Sequence, residues 1–466
     1  MTARALSLLL AVLLAVLLAG CSTPPPPPAA SPPAAVGLQQ AWVQAVAGPG
    51  WAVRVLTGEP ACPTMRWAGG AVALQERSAP DHPPTAIDNA PSERKPTRFT
   101  LRACDAPWPA DAASVQVGPF TLRAPAAELR RIVVIGDTGC RLKAADRDFQ
   151  GCNDSARWPF PRVLARALAA RPDLVVHVGD YHYRESPCPA GMAGCAGSPW
   201  GYGDDAWQAD FFQPARALLA AAPWVFVRGN HEACGRAGQG WLRYLDADAG
   251  APRSCEGTAA GADTAASAGD FTAPYAVPLS ARSQLIVFDS AALGGDAPRP
   301  GSPAWARWRG QLDGVAMLAG QRAHSLFLSH HPVLAFTPSA TGRPGTARSG
   351  LMPLLQDAFG ERLLPPGVQA TVHGHLHIQQ TLGFASNQPA SLVVGNGGSA
   401  ASGRLDVAAA LRTQLFPDVQ VETLQSHSDF GFTVLTATPQ GWQVEAFDTL
   451  GQPMANCALS GRKLRC

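Results

Sequence analysis

The sequence predicts an α/β protein with a small β domain in front of it, and three observations carry that expectation. From residue 131 onward, short apolar runs alternate with stretches whose apolar residues recur at helical spacing. Five of the runs end in a cluster of glycine, carboxylate, amide or histidine, the composition of ligand sites at the carboxyl ends of strands. Before residue 128 the chain is rich in Pro and Thr, has short apolar stretches and shows no long helical period.

The expected strands are 132–135, 174–178, 224–227, 285–288, 325–328 and 370–372. Their unbroken apolar character suits strands covered on both faces. Helices are expected between them at 157–170, 205–221, 303–319 and 351–359. The tail reads as two strands, 432–436 and 442–447, around a Pro-Gln-Gly turn. The small, polar stretches 257–268 and 337–349 read as mobile loops.

Composition excludes several functions. Of the 466 residues 46% are hydrophobic and 15% charged, which allows a large core and rules out a disordered chain. Lys+Arg 37 against Asp+Glu 35 leaves +2, which gives no support to nucleic-acid binding. None of the three lysines (Lys95, Lys143, Lys463) follows a glycine-rich phosphate loop, so a P-loop is excluded. The absence of Gly-x-Ser-x-Gly and His-Glu-x-x-His disfavours a serine hydrolase and a zinc protease.

Residues 1–20 carry one arginine and an apolar run, 5–19, that is short for a spanning helix and has the shape of a secretory signal. Leu18-Ala19-Gly20-Cys21 resembles a bacterial lipoprotein signal. The resemblance implies cleavage before Cys21 and lipidation of that residue. With Ser22 next, it also implies an outer-membrane anchor facing the periplasm, the lipid being the membrane contact. Residues 21–38 then form a proline-rich, stiff spacer. Ten further cysteines, an even number in an exported chain, argue for disulfides. Sequential neighbours would pair 62 with 104, 140 with 152, 188 with 195, 234 with 255 and 457 with 466, although sequence alone does not determine connectivity. No close Cys pair suggests bound zinc.

The chemistry gathers after the runs, at Asp137, at Asp180 and Tyr183, at Asn230 and His231, at His330 and His331, and at His375 and His377. The successive intervals along Asp137, Asp180, Asn230, His330 and His375 are 43, 50, 100 and 45 residues; all but the 100-residue gap match one strand–helix unit. Oxygen and imidazole donors without thiolate suit Fe, Mn or Zn. Several histidines with one carboxylate per ion and another bridging suit two ions roughly 3.5–4 Å apart.

In this order the motifs resemble the calcineurin-like metallophosphoesterases and, within them, the purple acid phosphatases. Those enzymes carry Asp-x-Gly, Gly-Asp-x-x-Tyr, Gly-Asn-His-Asp/Glu, Val-x-x-His and Gly-His-x-His. The chain has Asp137-Thr138-Gly139, Gly179-Asp180-Tyr181-His182-Tyr183, Gly229-Asn230-His231-Glu232, Phe327-Leu328-Ser329-His330 and Gly374-His375-Leu376-His377, with Phe327 in place of valine. The likeness spans about 131–384. It implies a four-layer αββα sandwich over 129–466, behind the β domain 39–128. It implies a phosphoester hydrolase with two metal ions, Fe(III) plus a divalent Fe, Zn or Mn ion. One ion would take Asp137, Tyr183, His377 and the bridging Asp180; the other Asp180, Asn230, His330 and His375. The phenolate of Tyr183 would favour Fe(III). A metal-bound hydroxide would attack phosphorus, and His231, unperturbed near pKa 6.5, would protonate the leaving alcohol. His182 and His331 are candidate substrate contacts, His373 a support for the ligands and His177 a core residue. The reading is a phosphomonoesterase acting on a small phosphoester; a phosphodiesterase with the same ions and a non-catalytic binding lipoprotein are the alternatives.

Overall fold

The computed structural model describes residues 37–48, 50–82, 95–250, 253–255 and 268–466. The leader, Cys21, nearly all of the spacer and the stretch 257–267 lie outside the described residues.

Among the described residues the strands form two large sheets. The first has eleven strands, with Arg131–Ile135, Leu174–His177 and Trp224–Phe226 paired in parallel near its middle. The second has seven, with Ser283–Val287, His324–Leu328, Val368–His373 and Ala390–Val394 in parallel. Successive side chains of a strand point to opposite faces. Ile132, Val134, Leu174 and Val176 therefore face the other sheet and meet Leu285, Leu326, Val372 and Leu392. Val133, Ile135 and Val175 face outward, under helices Phe160–Ala169 and Gln213–Ala221. Helices Pro303–Ala319 and Leu351–Phe359 cover Ile286 and Phe327 on the outside of the second sheet in the same way. The result is the αββα sandwich, and burial on both faces is why the central strands read as near-continuous apolar runs.

Local chemistry sets the helix bounds. Phe160–Ala169 starts three residues later than the periodicity suggests, because Pro159 and Pro161 fit only at a helix start. It buries Phe160, Val163, Leu164 and Ala167, a stripe at helical spacing. Pro303–Ala319 is capped by Ser302, whose hydroxyl accepts from the Trp305 amide at 3.2 Å. The helix expected at 205–221 contains one wide turn, Gln208–Phe212, ahead of Pro214, which has no amide to donate.

The N-terminal β region is present. A four-stranded sheet joins Gly70–Ala73, Thr64–Trp67, Ser114–Val117 and Phe120–Arg123. Four other strands, Leu38–Val46, Gly50–Thr57, Arg102–Pro107 and Gln75–Ser78, extend the eleven-stranded sheet beyond Trp224–Phe226. The topology changes near residue 128, but the hydrogen-bonded ladder does not break there. Buried Arg54 fastens the junction, donating to the carbonyls of Tyr244 at 2.9 Å and Asp246 at 3.0 Å.

Three features differ from the sequence reading. Residues 337–349 do not form an open loop; they carry a hairpin of Phe336–Pro338 with Pro344–Thr346. Gln379–Phe384 is a fully buried strand despite Gln379, Gln380 and Thr381. Gln380 explains how, since its amide exchanges hydrogen bonds of 3.1 and 2.8 Å with the Phe336 backbone. At the other edge Pro453–Ser460 and Lys463–Arg465 add two strands after the expected tail hairpin. Among the described residues, five disulfides each join sequential neighbours: Cys62–Cys104, Cys140–Cys152, Cys188–Cys195, Cys234–Cys255 and Cys457–Cys466.

Candidate metal centre

Five parallel strands end at one place, three from the first sheet and two from the second. The loops after Arg131–Ile135, Leu174–His177 and Trp224–Phe226 carry Asp137, then Asp180 with Tyr183, then Asn230. Those after His324–Leu328 and Val368–His373 carry His330, then His375 with His377. Asp137, Asp180 and His375 all have left-handed backbones, with φ of 55°, 56° and 70°. Such conformations are costly for residues with a Cβ and collect at functional sites. Gly229 allows a close approach, since a Cβ there would collide with Asp180.

The strained loops are tied down from below. Glu232 accepts from the amides of Asp180, Tyr181, His182 and Gly229 at 2.9–3.1 Å. Asp210, projected by the wide helical turn, accepts from the amides of Cys140 at 2.9 Å and Tyr183 at 2.8 Å and from Arg184 Nε at 2.6 Å.

The side chains then fall into two groups that share Asp180. Tyr183 Oη lies 3.1 Å from Asp137 Oδ1, 2.9 Å from Asp180 Oδ2 and 2.8 Å from His377 Nε2. His330 Nε2 lies 3.2 Å from Asp180 Oδ2 and 3.0 Å from Asn230 Oδ1, and His375 Nδ1 is also 3.0 Å from Asn230 Oδ1. Donor atoms of Asp180, His330 and His375 all lie within 4.8 Å of one another. Backbone carbonyls orient two of the rings: Val178 O is 2.8 Å from His330 Nδ1 and Ala400 O is 2.6 Å from His377 Nδ1. Each ring is left with Nε2 turned to the centre, the arrangement of metal-binding imidazoles.

The family model for calcineurin-like phosphoesterases matches residues 130–379, more than half of the chain. The chain belongs to the calcineurin-like phosphoesterases. It is thus a metal-dependent hydrolase of phosphoric esters. No curated protein is a significant match to it. Its fold is similar to that of a purple acid phosphatase from yellow lupin (Lupinus luteus) seeds, with 15% identity, a TM-score of 0.54, and 90% of this chain and 74% of that one covered. It is also similar to PhoD, with 12% identity, a TM-score of 0.52 and 93% of each chain covered.

The electrostatics of this phosphoesterase fit a cationic guest. Burial pushes the Asp137 carboxyl well above its usual range, with Asp180 adding to it. Burial works against the charged form of His330 too, yet Asp180 and Asp137 push it up to about 9. His375 and His377 are pushed down by burial, to about 3 and about 4, and so stay neutral and free to coordinate. Two buried carboxylates beside three imidazoles, a phenol and an amide form a donor set suited to cations such as Fe, Mn or Zn.

The remaining predicted residues divide. His231 adjoins the centre: its ring is 3.9 Å from that of Tyr183, and its amide donates to Asp180 Oδ1 at 2.9 Å. It does not keep an unperturbed pKa, because burial and then Arg236 push it down to about 4, against Asp180 and Glu185. An anion bound beside it would work in the opposite direction. The ring of His331 lies 4.5 Å from that of His375, and its Nδ1 is 3.0 Å from Ser290 Oγ, so it backs a ligand candidate. His182 is fully buried, with its ring 5.4 Å from that of Tyr202 and 5.8 Å from that of Trp207. A substrate contact expected from its place between two tyrosines therefore gives way to aromatic packing. His373 is buried and bonded to Ser329, and His177 is a core residue stacked on Tyr181. Sequence reasoning missed Glu185 and Arg236, which meet His231 from positions 46 and 5 residues away. It also left Glu232 without a role, although the Gly-Asn-His-Glu motif contains it.

Proposed function

We propose that this phosphoesterase hydrolyses phosphomonoesters with a purple acid phosphatase-type pair of ions, Fe(III) beside Tyr183 and a divalent Fe, Zn or Mn ion beside Asn230. The observation that carries the reading is the position of Asp180 between two donor groups, Asp137, Tyr183 and His377 on one side and Asn230, His330 and His375 on the other. Bound there, two ions would supply a nucleophilic oxygen and neutralise charge on the phosphoryl group.

The residues of the chain do the rest. Asp180, tied through Glu232 and the His231 amide, keeps the two donor groups in register. His231 is the proton donor to the departing alcohol. Its Nδ1 lies 2.9 Å from Glu185 Oε1, which fixes the ring, and its Nε2 lies 3.9 Å from Asp180 Oδ2, on the side of the centre. A proton held at Nε2 is thus placed for the leaving oxygen. Burial of Asp137, Asp180 and His330 removes competing water and strengthens these interactions.

The test is hydrolysis of matched aryl mono- and diesters by purified protein, with elemental analysis and a visible spectrum. Monoester kcat/KM at least about 10-fold above the diester value supports the reading. The reverse order makes the protein a phosphodiesterase with the same donors, and bound metal without turnover on a broad panel makes it a binding protein.

We also read the chain as an exported lipoprotein anchored through Cys21 in the outer membrane. The leader 1–20 and the five disulfides support this reading, since disulfides persist outside the cytosol. Loss of radiolabelled fatty acid from the Cys21→Ser protein is the expected result.

A further inference from the structure

Arg236 is a cation at the edge of the centre that neither ligation nor proton transfer uses. It follows the turn Asn230–Glu232, and its side chain folds back over His231. Its Nη2 lies 2.7 Å from Nδ1 and 2.9 Å from Nε2 of that ring, and it pairs with Glu185 Oε1. Only 14% of the side chain is exposed. Its Nε is buried and has no hydrogen-bond partner among the described residues.

A buried N–H with no acceptor is destabilising, and native proteins rarely keep one without a use. Glu185 does not depend on Arg236 for neutrality. Lys143 Nζ lies 2.6 Å from its other oxygen, and Tyr202 Oη donates to that oxygen at 3.2 Å. Arg141, its guanidinium 5.6 Å from the centroid of the Tyr183 ring, is already paired with Asp146 at 2.6 Å and Asp148 at 3.1 Å. Lys143 and Arg236 are thus two cations on the one carboxylate of Glu185, and Arg236 is the one of the two that also reaches His231.

We propose that Arg236 reads the terminal phosphoryl group, donating to a non-bridging oxygen of the substrate and so setting a preference for monoesters. In a monoester that oxygen is anionic and open to a forked guanidinium; in a diester one such oxygen carries carbon and the group loses a charge. Glu185 holds Arg236 and His231 side by side, so the group that grips phosphate and the group that protonates the leaving oxygen move together. The proposal names the specificity residue of the phosphomonoesterase reading and rests on it.

The test uses full-length, metal-loaded protein as wild type, Arg236→Met and Arg236→Lys. Arg236→Met is expected to lower monoester kcat/KM by about 10- to 100-fold, the range of a charge-assisted hydrogen bond, and to weaken inorganic phosphate binding by a similar factor. Its diester kcat/KM should fall by less than about 3-fold, with metal content unchanged. Arg236→Lys should recover part of the phosphate binding, because it restores charge without the fork. Equal loss on both esters, unchanged phosphate affinity or lost metal would overturn the proposal. A wild-type diester preference would instead sink the monoesterase reading, and phosphate titration of the variants would still decide the role of Arg236.

Discussion

Tyr183 Oη and His377 Nε2 lie 2.8 Å apart, although 194 residues separate them in the chain. Tyr183 follows a strand of the first sheet and His377 a strand of the second, so this contact closes the sandwich at its mouth. The phenol also reaches Asp137 and Asp180, and burial followed by those two carboxylates pushes its pKa well above the ordinary value. A trivalent ion would reverse that shift by stabilising the phenolate.

Tyr183→Phe is therefore expected to remove visible absorption from the oxidised protein while leaving the fold intact, since the phenyl ring fills the same volume. The absorption spectrum and thermal melting check it together. Colourless, iron-free but active wild-type protein would remove Fe(III) and leave an all-divalent centre.

Asn230→Ala and His375→Ala should lose metal and activity in parallel. Asn230 Oδ1 is 3.0 Å from both His330 Nε2 and His375 Nδ1, so removing it unsettles the whole second donor group. Metal affinity should fall by at least about 10-fold, measured by competition with a chelator. Full metal retention would count against ligation by these residues.

His231→Ala should slow turnover by about 10²–10⁴-fold for poor leaving groups and much less for good ones, with metal retained. A Brønsted series of aryl phosphates reads this directly. A uniform loss across the series would assign His231 to binding.

Glu232→Ala should destabilise the fold by about 3 kcal/mol, because four buried amides lose their acceptor. Glu232→Gln keeps one oxygen and should cost less. Denaturant unfolding measures both, and an unchanged midpoint for the alanine variant would show that the Asp180 and Asn230 loops stand without the carboxylate.

The candidate donors and their gathering at strand ends were legible because each depends on short-range rules. A strand buried on both faces reads as a mostly apolar run, and a glycine with a polar side chain at its end announces a site, as at Gly179-Asp180 and Gly374-His375. The strand Gln379–Phe384 escaped because its buried Gln380 is satisfied by a partner, the Phe336 backbone, 44 residues away. His182 misled because a loop sequence does not state which way a ring turns, and here aromatic packing turns it inward.

By itself the sequence determined the kind of layers, the order of the donors and the residue types that could hold cations, since backbone periodicity and side-chain chemistry are local properties. Only the tertiary structure decided that Leu38–Val46 would join Trp224–Phe226, and that Glu185 and Arg236 would flank His231. Ladder hydrogen bonds come from the backbone, which every residue shares, so a strand does not name its neighbour. Contacts across 46 residues depend on how whole layers pack, and no nearby spacing encodes them.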